Sequence, residues 1–183
     1  MIERYTTPQM QSLWSDQNRF QKWLEIEILA CEAMAHMGTI PRTAAIKIRQ
    51  KAKFDIKRIS RIEEKTKHDV IAFLTNVAEN VGPESKYIHY GMTSSDILDT
   101  SLSLLMREAG LVILGDLLKT SQLIQKRAFE YKFTPMIGRT HGIHAEPITL
   151  GLKFTLWYTE IQRDILRLER AIETVSVGKI SGR

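Results

Sequence analysis

Thr93-Ser94-Ser95-Asp96-Ile97-Leu98-Asp99-Thr100-Ser101-Leu102 opens the stretch that decides the fold. A helical pattern starts there and runs to about Tyr131, with Ile97, Leu98, Leu102, Leu105, Val112, Leu117 and Ile124 among its apolar positions. At 1.5 Å per residue that helix is on the order of 50 Å long. Such a length exceeds an ordinary globular helix and predicts an extended bundle or an oligomeric core. A second pattern, Ile148 to about Thr174, carries Leu152, Leu156, Ile161, Ile165, Leu168 and Ile172, and an antiparallel return along the first is the simplest packing. Two long helices bury too little apolar surface on each other. Other chains cover them, or the sequence is the front part of something longer; both are expected.

Upstream, Thr7-Pro8 opens a short helical segment. Asn18 to Met37 forms a long one whose Phe20, Trp23, Leu24, Ile28, Cys31 and Met34 recur at three- and four-residue spacing. Gly38 suits a helix C-terminal cap, and Pro41 restarts a helix at its first turn. Arg42 to Lys65 holds two helical pieces divided near Phe54-Asp55, with Asp55 as an N-cap. Val70 to Val81 is a further apolar helix, closed by Gly82-Pro83. No run shows the alternation of a strand, so the predicted class is all-α. An N-terminal helical domain over 1–93 is followed, over 94–183, by the first long helices of a central bundle.

Of the 183 residues, 43% are hydrophobic and 26% charged, the composition of a globular chain with a sizeable core. The net charge of +5 is unevenly spread. Arg42 to Lys67 holds ten basic residues against Asp55, Glu63 and Glu64, a local net of +7 that leaves −2 elsewhere. That segment is either a solvated helix face or a surface for an anionic partner. Cys31 is the only cysteine, which excludes an intrachain disulfide and CxxC motifs. Met1-Ile2-Glu3-Arg4-Tyr5 has no basic region leading into an apolar run, so no signal peptide is expected. The most apolar stretch, Gly110 to Leu118, is short and interrupted by Gly115 and Asp116, too little to span a bilayer. A cytoplasmic chain without a membrane partner is expected.

Three polar clusters carry the candidate chemistry. Gly138-Arg139-Thr140-His141-Gly142-Ile143-His144-Ala145-Glu146-Pro147 has no apolar period and reads as a loop between the long helices, with Pro147 placed to begin the second. His141 or His144 is expected to face a substrate, and spacing does not decide which. Lys67-His68-Asp69 stands at the entrance to the Val70 helix, where Asp69 suits an N-cap and the cluster suits an anion or proton-transfer site. His89 precedes Thr93-Ser94-Ser95-Asp96, where Ser94 or Ser95 caps the helix or the hydroxyls and free amides take a carboxylate or phosphate. No carboxylate or cysteine set surrounds the histidines with zinc-like spacing. Phosphate-loop, dinucleotide and nucleophile-elbow motifs are lacking. The chemistry expected is histidine acid–base work with no metal and no cofactor.

Gly91-Met92-Thr93-Ser94-Ser95-Asp96 and Gly138-Arg139-Thr140-His141-Gly142, with Lys67-His68-Asp69 and Glu3-Arg4-Tyr5, resemble the adenylosuccinate lyases of the fumarase and aspartase superfamily. The resemblance runs through all 183 residues in order and spacing. Argininosuccinate lyases carry a Ser-Arg-Asn-Asp type of sequence where this chain has Thr93-Ser94-Ser95-Asp96, and fumarases and aspartases a Ser-Ser-Asn-Asp-like one. Arg139-Thr140-His141-Gly142 followed by Ala145-Glu146-Pro147 is specific to the adenylosuccinate branch.

What the resemblance implies is a β-elimination that splits adenylosuccinate to AMP and fumarate, and the succinyl-carboxamide ribotide SAICAR to AICAR and fumarate. His141 would be the general acid that protonates the departing nitrogen, with His68 assisting, a transfer typically worth roughly 10²–10⁴ in rate. Thr93 and Ser94 would hold succinyl carboxylate oxygens. Arg4, Tyr5, Lys67, Asp69 and His89 would contact the nucleotide, with Thr140 in the same substrate-binding set. The resemblance also implies a homotetramer whose sites draw on three subunits. Its catalytic base is a serine on a downstream loop with a Met-Pro-Lys type signature that these 183 residues lack, and Ser181 does not replace it. The bare 183-residue chain is therefore expected to be inactive. Arg183 stands where the family pattern continues with a small residue. The alternatives are a sister lyase such as argininosuccinate lyase, a nucleic-acid-binding module using the basic segment, and a non-catalytic helical assembly protein.

Overall fold

The computed structural model describes residues 2–182, so Arg183 lies outside the described residues. Helix starts follow their capping residues. Thr7 Oγ1 accepts the Met10 N–H ahead of α1 (Pro8–Leu13), and Ser15 Oγ accepts the Asn18 N–H ahead of α2 (Asp16–His36). Gly38, at φ 78, reverses the chain one residue past the α2 cap. Pro41 directly precedes α3 (Arg42–Lys51). Asp55 Oδ1 accepts the Arg58 N–H at 2.7 Å and opens α4 (Ile56–Thr66), ahead of α5 (Asp69–Val81). The two long patterns become α6 (Ser94–Glu130) and α7 (Leu150–Val175).

The chain forms two compact units, divided after Met106 within α6, with residues from Ser176 onward belonging to the first. The core of the first unit is aromatic at its centre. Phe20 and Trp23 of α2 meet Phe73 of α5, with ring centres 5.7 and 5.4 Å away, and Phe54 closes the group. Ile48, Ile59, Val70, Val77 and Ile97 bury their side chains in the same cluster. Buried Asn76 stitches α5 to the start of α4: its Oδ1 accepts the Asp55 N–H at 2.8 Å and its Nδ2 donates to Glu79.

In the second unit, α7 runs antiparallel to the later part of α6. Gln162 donates to Ser121 at 2.6 Å, and Gln125 donates to Tyr158 Oη at 3.4 Å. Gly151 is the point of closest approach, where an added Cβ would lie 2.5 Å from the Ala128 carbonyl oxygen. The expected loop between these helices is instead an antiparallel hairpin, β1 (Pro135–Thr140) and β2 (Ile143–Thr149). Pro147 pairs with Ile137 inside β2, so it does not begin α7. A proline fits there because a two-stranded sheet has two edges and does not require every N–H. The alternation that signals a strand is absent because one residue extra on β2 breaks the register opposite Gly138.

Candidate active site

Arg4 and Tyr5 lie in a short 3-10 turn, both exposed, with the Arg4 guanidinium 4.8 Å from the centre of the Tyr5 ring. Lys67 ends α4 with a left-handed backbone, φ 53, and donates its N–H to the Glu63 carbonyl at 2.8 Å. That sharp reversal lets α5 start two residues later. His68, not Asp69, is the N-cap of α5: its Nδ1 accepts the Ile71 N–H at 3.4 Å. Asp69 is the first helical residue, bonded to its neighbour's N–H at 2.8 Å, where a carboxylate complements the helix dipole.

His68 Nδ1 is also 3.4 Å from Asp69 Oδ1. One nitrogen cannot serve both partners at once. Accepting from Ile71 requires Nδ1 to be unprotonated, which leaves the ring proton on Nε2 as a donor. A proton on Nδ1 would exchange the cap for a pair with Asp69. The ring is half exposed.

Near His89 the backbone reverses twice, with φ 64 at His89 and 73 at Gly91. The His89 N–H donates to Glu27 Oε2 at 2.9 Å, and its Nδ1 lies 2.7 Å from Glu27 Oε1. Glu27 is 1% exposed on the apolar face of α2. One helical turn on, burial and the Glu27 charge push the Cys31 thiol up to about 12, so it stays a thiol and donates to the Tyr87 carbonyl at 3.5 Å.

Ser94 and Ser95 do not cap α6. Buried Asp96 takes that role, its Oδ2 accepting the Thr93 N–H at 2.9 Å, the reach-back half of a capping box. Its carboxylate also accepts the N–H groups of Ser181 at 2.8 Å and Gly182 at 3.3 Å, with Lys179 Nζ 3.9 Å away. The Thr93 amide above all, then Ser181, Gly182 and Lys179, hold the Asp96 carboxyl below the usual aspartate range. Lys179 Nζ donates to Ser95 Oγ at 2.5 Å. Among the described residues the hydroxyls of Thr93 and Ser94 have no hydrogen-bond partner.

In the second unit Thr140 pairs with Ile143, and the two residues between them, His141 at φ 50 and Gly142 at φ 76, form the tight turn. Two positive φ values at a two-residue connection match the right-handed twist of the strands. His141 is exposed at the hairpin tip, whereas His144 lies on β2 opposite Arg139.

Arg4 with Tyr5, Lys67 to Asp69, and His89 to Ser94 form three clusters in the first unit, and no hydrogen bond or ion pair among the described residues joins one to another. Sequence reasoning missed Glu27, Lys179 and the capping role of Asp96. The signal for Glu27 was a carboxylate set on a core face between Leu24 and Cys31. The basic segment is partly answered by acids: Arg49 pairs with Glu25 and Glu32, Arg58 with Glu79, and Lys47 with Glu84. Among the described residues no three His, Cys, Asp or Glu side chains group as metal ligands. No helix among them is long and apolar enough to cross a membrane.

Known proteins extend this reading. The chain is 51% identical over 182 residues to adenylosuccinate lyase from Bacillus subtilis (strain 168), and 48% identical over 182 residues to that of Staphylococcus saprophyticus. Each comparison covers 100% of this chain and 42% of the relative, so the chain spans less than half their length. Fumarate lyase from Mesorhizobium sp. BNC1 superposes with a TM-score of 0.91 at 29% identity, covering 96% of this chain and 42% of that one. The model of the lyase family matches residues 3–183, and the chain belongs to that family.

Proposed function

We propose that the full-length protein is an adenylosuccinate lyase. It eliminates fumarate from adenylosuccinate to leave AMP, and from SAICAR to leave AICAR. The observation that carries this is the 51% identity to the Bacillus subtilis enzyme across this whole chain. In the elimination a base takes the proton from the carbon next to the departing nitrogen's carbon. The electron pair forms the fumarate double bond, the carbon–nitrogen bond breaks, and the nitrogen gains a proton. His141, exposed at its hairpin tip, is the donor of that proton, with His68 assisting through its Nε2–H. The unpartnered Thr93 and Ser94 hydroxyls hold succinyl carboxylate oxygens. Thr140 lines the same site, and Arg4, Tyr5, Lys67, Asp69 and His89 meet the nucleotide. The base comes from outside these 183 residues.

The working form in this reading is a cytoplasmic homotetramer that binds neither nucleic acid nor membrane. Its helical domain over 1–93 leads into a bundle that begins at 94. The ion pairs that Glu25, Glu32, Glu79 and Glu84 make with the basic segment support a solvated face over a nucleic-acid groove. The test uses the full-length protein with adenylosuccinate, and with argininosuccinate as competitor. AMP and fumarate should form in equal amounts, and His141→Ala should lower kcat by roughly 10²–10⁴. Turnover of argininosuccinate with none of adenylosuccinate would transfer the assignment to the sister lyase.

A further inference from the structure

The Glu27 carboxylate is a buried charged group that the proposed elimination does not use. Its surroundings are apolar, with Trp23, Leu24, Ile28 and Cys31 buried on the same helix. A carboxylate in such a place is costly unless its oxygens are hydrogen-bonded. Both oxygens go to a single residue 62 positions away, one to the His89 N–H and one to His89 Nδ1. Two residues earlier, Cys31 holds the Tyr87 carbonyl, so α2 grips this segment at two points. The grip holds His89 in a left-handed backbone that costs a non-glycine residue energy. A buried carboxylate is often no more stabilising than an apolar side chain in its place, and a left-handed non-glycine backbone costs energy. Both are explained if the residue being held has a task.

The task follows from the nitrogens. An ionised carboxylate is acceptor-only, so the 2.7 Å contact requires the proton on Nδ1. Nε2 is then the one ring nitrogen left to a ligand, and among the described residues it has no partner. Flipping the ring would bring a C–H against the carboxylate. We propose that Glu27 is a positioning residue for ligand binding: it fixes the Nδ1–H form and the orientation of His89, so that the unprotonated Nε2 is presented as an acceptor to a hydroxyl or amino group of the nucleotide. This rests on the assignment of His89 to the nucleotide site under the proposed function.

The experiment has two arms on full-length protein. Nitrogen-15 NMR of the His89 ring needs no substrate, and it should show a proton on Nδ1 in the wild type. In Glu27→Gln the amide NH2 can face the ring and draw the proton to Nε2. A wild-type ring protonated on Nε2 and not on Nδ1 overturns the proposal even if no variant folds. The second arm is kinetic. Glu27→Gln should raise KM for adenylosuccinate roughly tenfold, the upper scale of one lost neutral hydrogen bond, with kcat little changed. His89→Ala should raise KM at least as much, and the double variant should be no worse than His89→Ala alone. Effects that multiply, or a Glu27→Gln enzyme with unchanged KM, would mean that Glu27 serves the fold and not His89. If the protein turns over no adenylosuccinate, the kinetic arm passes to binding of AMP. Unaltered AMP affinity in Glu27→Gln then overturns the positioning role separately from the reaction.

Discussion

The two units are built from the same kind of amphipathic helix, and they finish differently. In the first, Trp23, Ile48, Ile59, Val70, Phe73, Val77 and Ile97 are all essentially inaccessible. In the second, Ala109 and Ile165 are the buried apolar side chains among the described residues, while Leu123, Phe129, Phe133, Ile143, Leu152 and Leu166 are each more than half exposed. Four short helices around α2 present faces in several directions and close over one another. Two antiparallel helices and a hairpin present one seam and leave the remaining faces bare. The first unit therefore closes its own core, and the second leaves apolar faces uncovered. Among the proposed site residues, His68, His89, Thr93 and Ser94 stand on the closed unit and His141 on the open one.

The largest expected effect strikes the closed core. Phe73→Ala removes a ring that touches Phe20, Trp23 and Phe54, and should cost roughly 3–5 kcal/mol in urea unfolding. A loss below about 1 kcal/mol would put Phe73 with ordinary surface sites and undo the claim that this core sustains the unit. Next comes Gly151→Ala. Its methyl would meet the backbone of Ala128 and Lys132, which cannot step aside as a side chain can. About 1–3 kcal/mol is expected, read as faster hydrogen exchange over Leu150–Val175 with α5 unaffected. Exchange that rises equally in α5 would show that the two units unfold as one.

A smaller effect, gated by pH, separates the polar closure of the first unit from the open second. Asp96 ties residues 179–182 to the start of α6, and its carboxyl is held below the usual aspartate range. Because the folded value is the lower one, the stabilisation is complete above the unfolded value of about 4 and is lost as pH falls through the folded value. The urea midpoint of the wild type should therefore drop on acidification below about pH 4. Asp96→Asn should start lower at neutral pH and show a shallower acid limb. Equal acid limbs in the two proteins would remove Asp96 from the account.

How much of this was legible varies with the range of the forces involved. Helices were readable because their signals are local: Asp55 three residues before Arg58, Ser15 three before Asn18, and apolar spacing along α2. The hairpin was not, because both strands are largely exposed and neither buries enough side chains to set an apolar alternation. Its one local sign was His141-Gly142, a pair suited to two positive φ values. The cap of α5 went to His68 and not Asp69 because a ring nitrogen reached the free amide that a carboxylate usually takes. Among the site residues, His68, His89, Thr93, Ser94 and His141 were visible as polar residues at breaks in the helical pattern. Glu27 was not, since its role rests on a partner 62 positions away, and neither was the hold of Asp96 on Ser181, 85 positions away.

The smallest effect on this chain's stability is the most informative about its open unit. Phe129 is 71% exposed and Leu123 is 65% exposed, so replacing either by serine removes little burial within the chain. Unfolding should shift by less than about 0.5 kcal/mol, as at ordinary surface sites. The same two substitutions in the full-length protein should shift its sedimentation from the proposed tetramer toward smaller species, because bare apolar side chains on a long helix are what an interface would cover. The two measurements pull the contributions apart. A stability loss of several kcal/mol in the chain alone would mean that the second unit already closes over these side chains. An unmoved tetramer would mean that the covering surface lies elsewhere on α6 and α7. A neutral chain with a weakened assembly would show that the second unit is folded by its neighbours, and that His141 at its hairpin tip is placed by them as well.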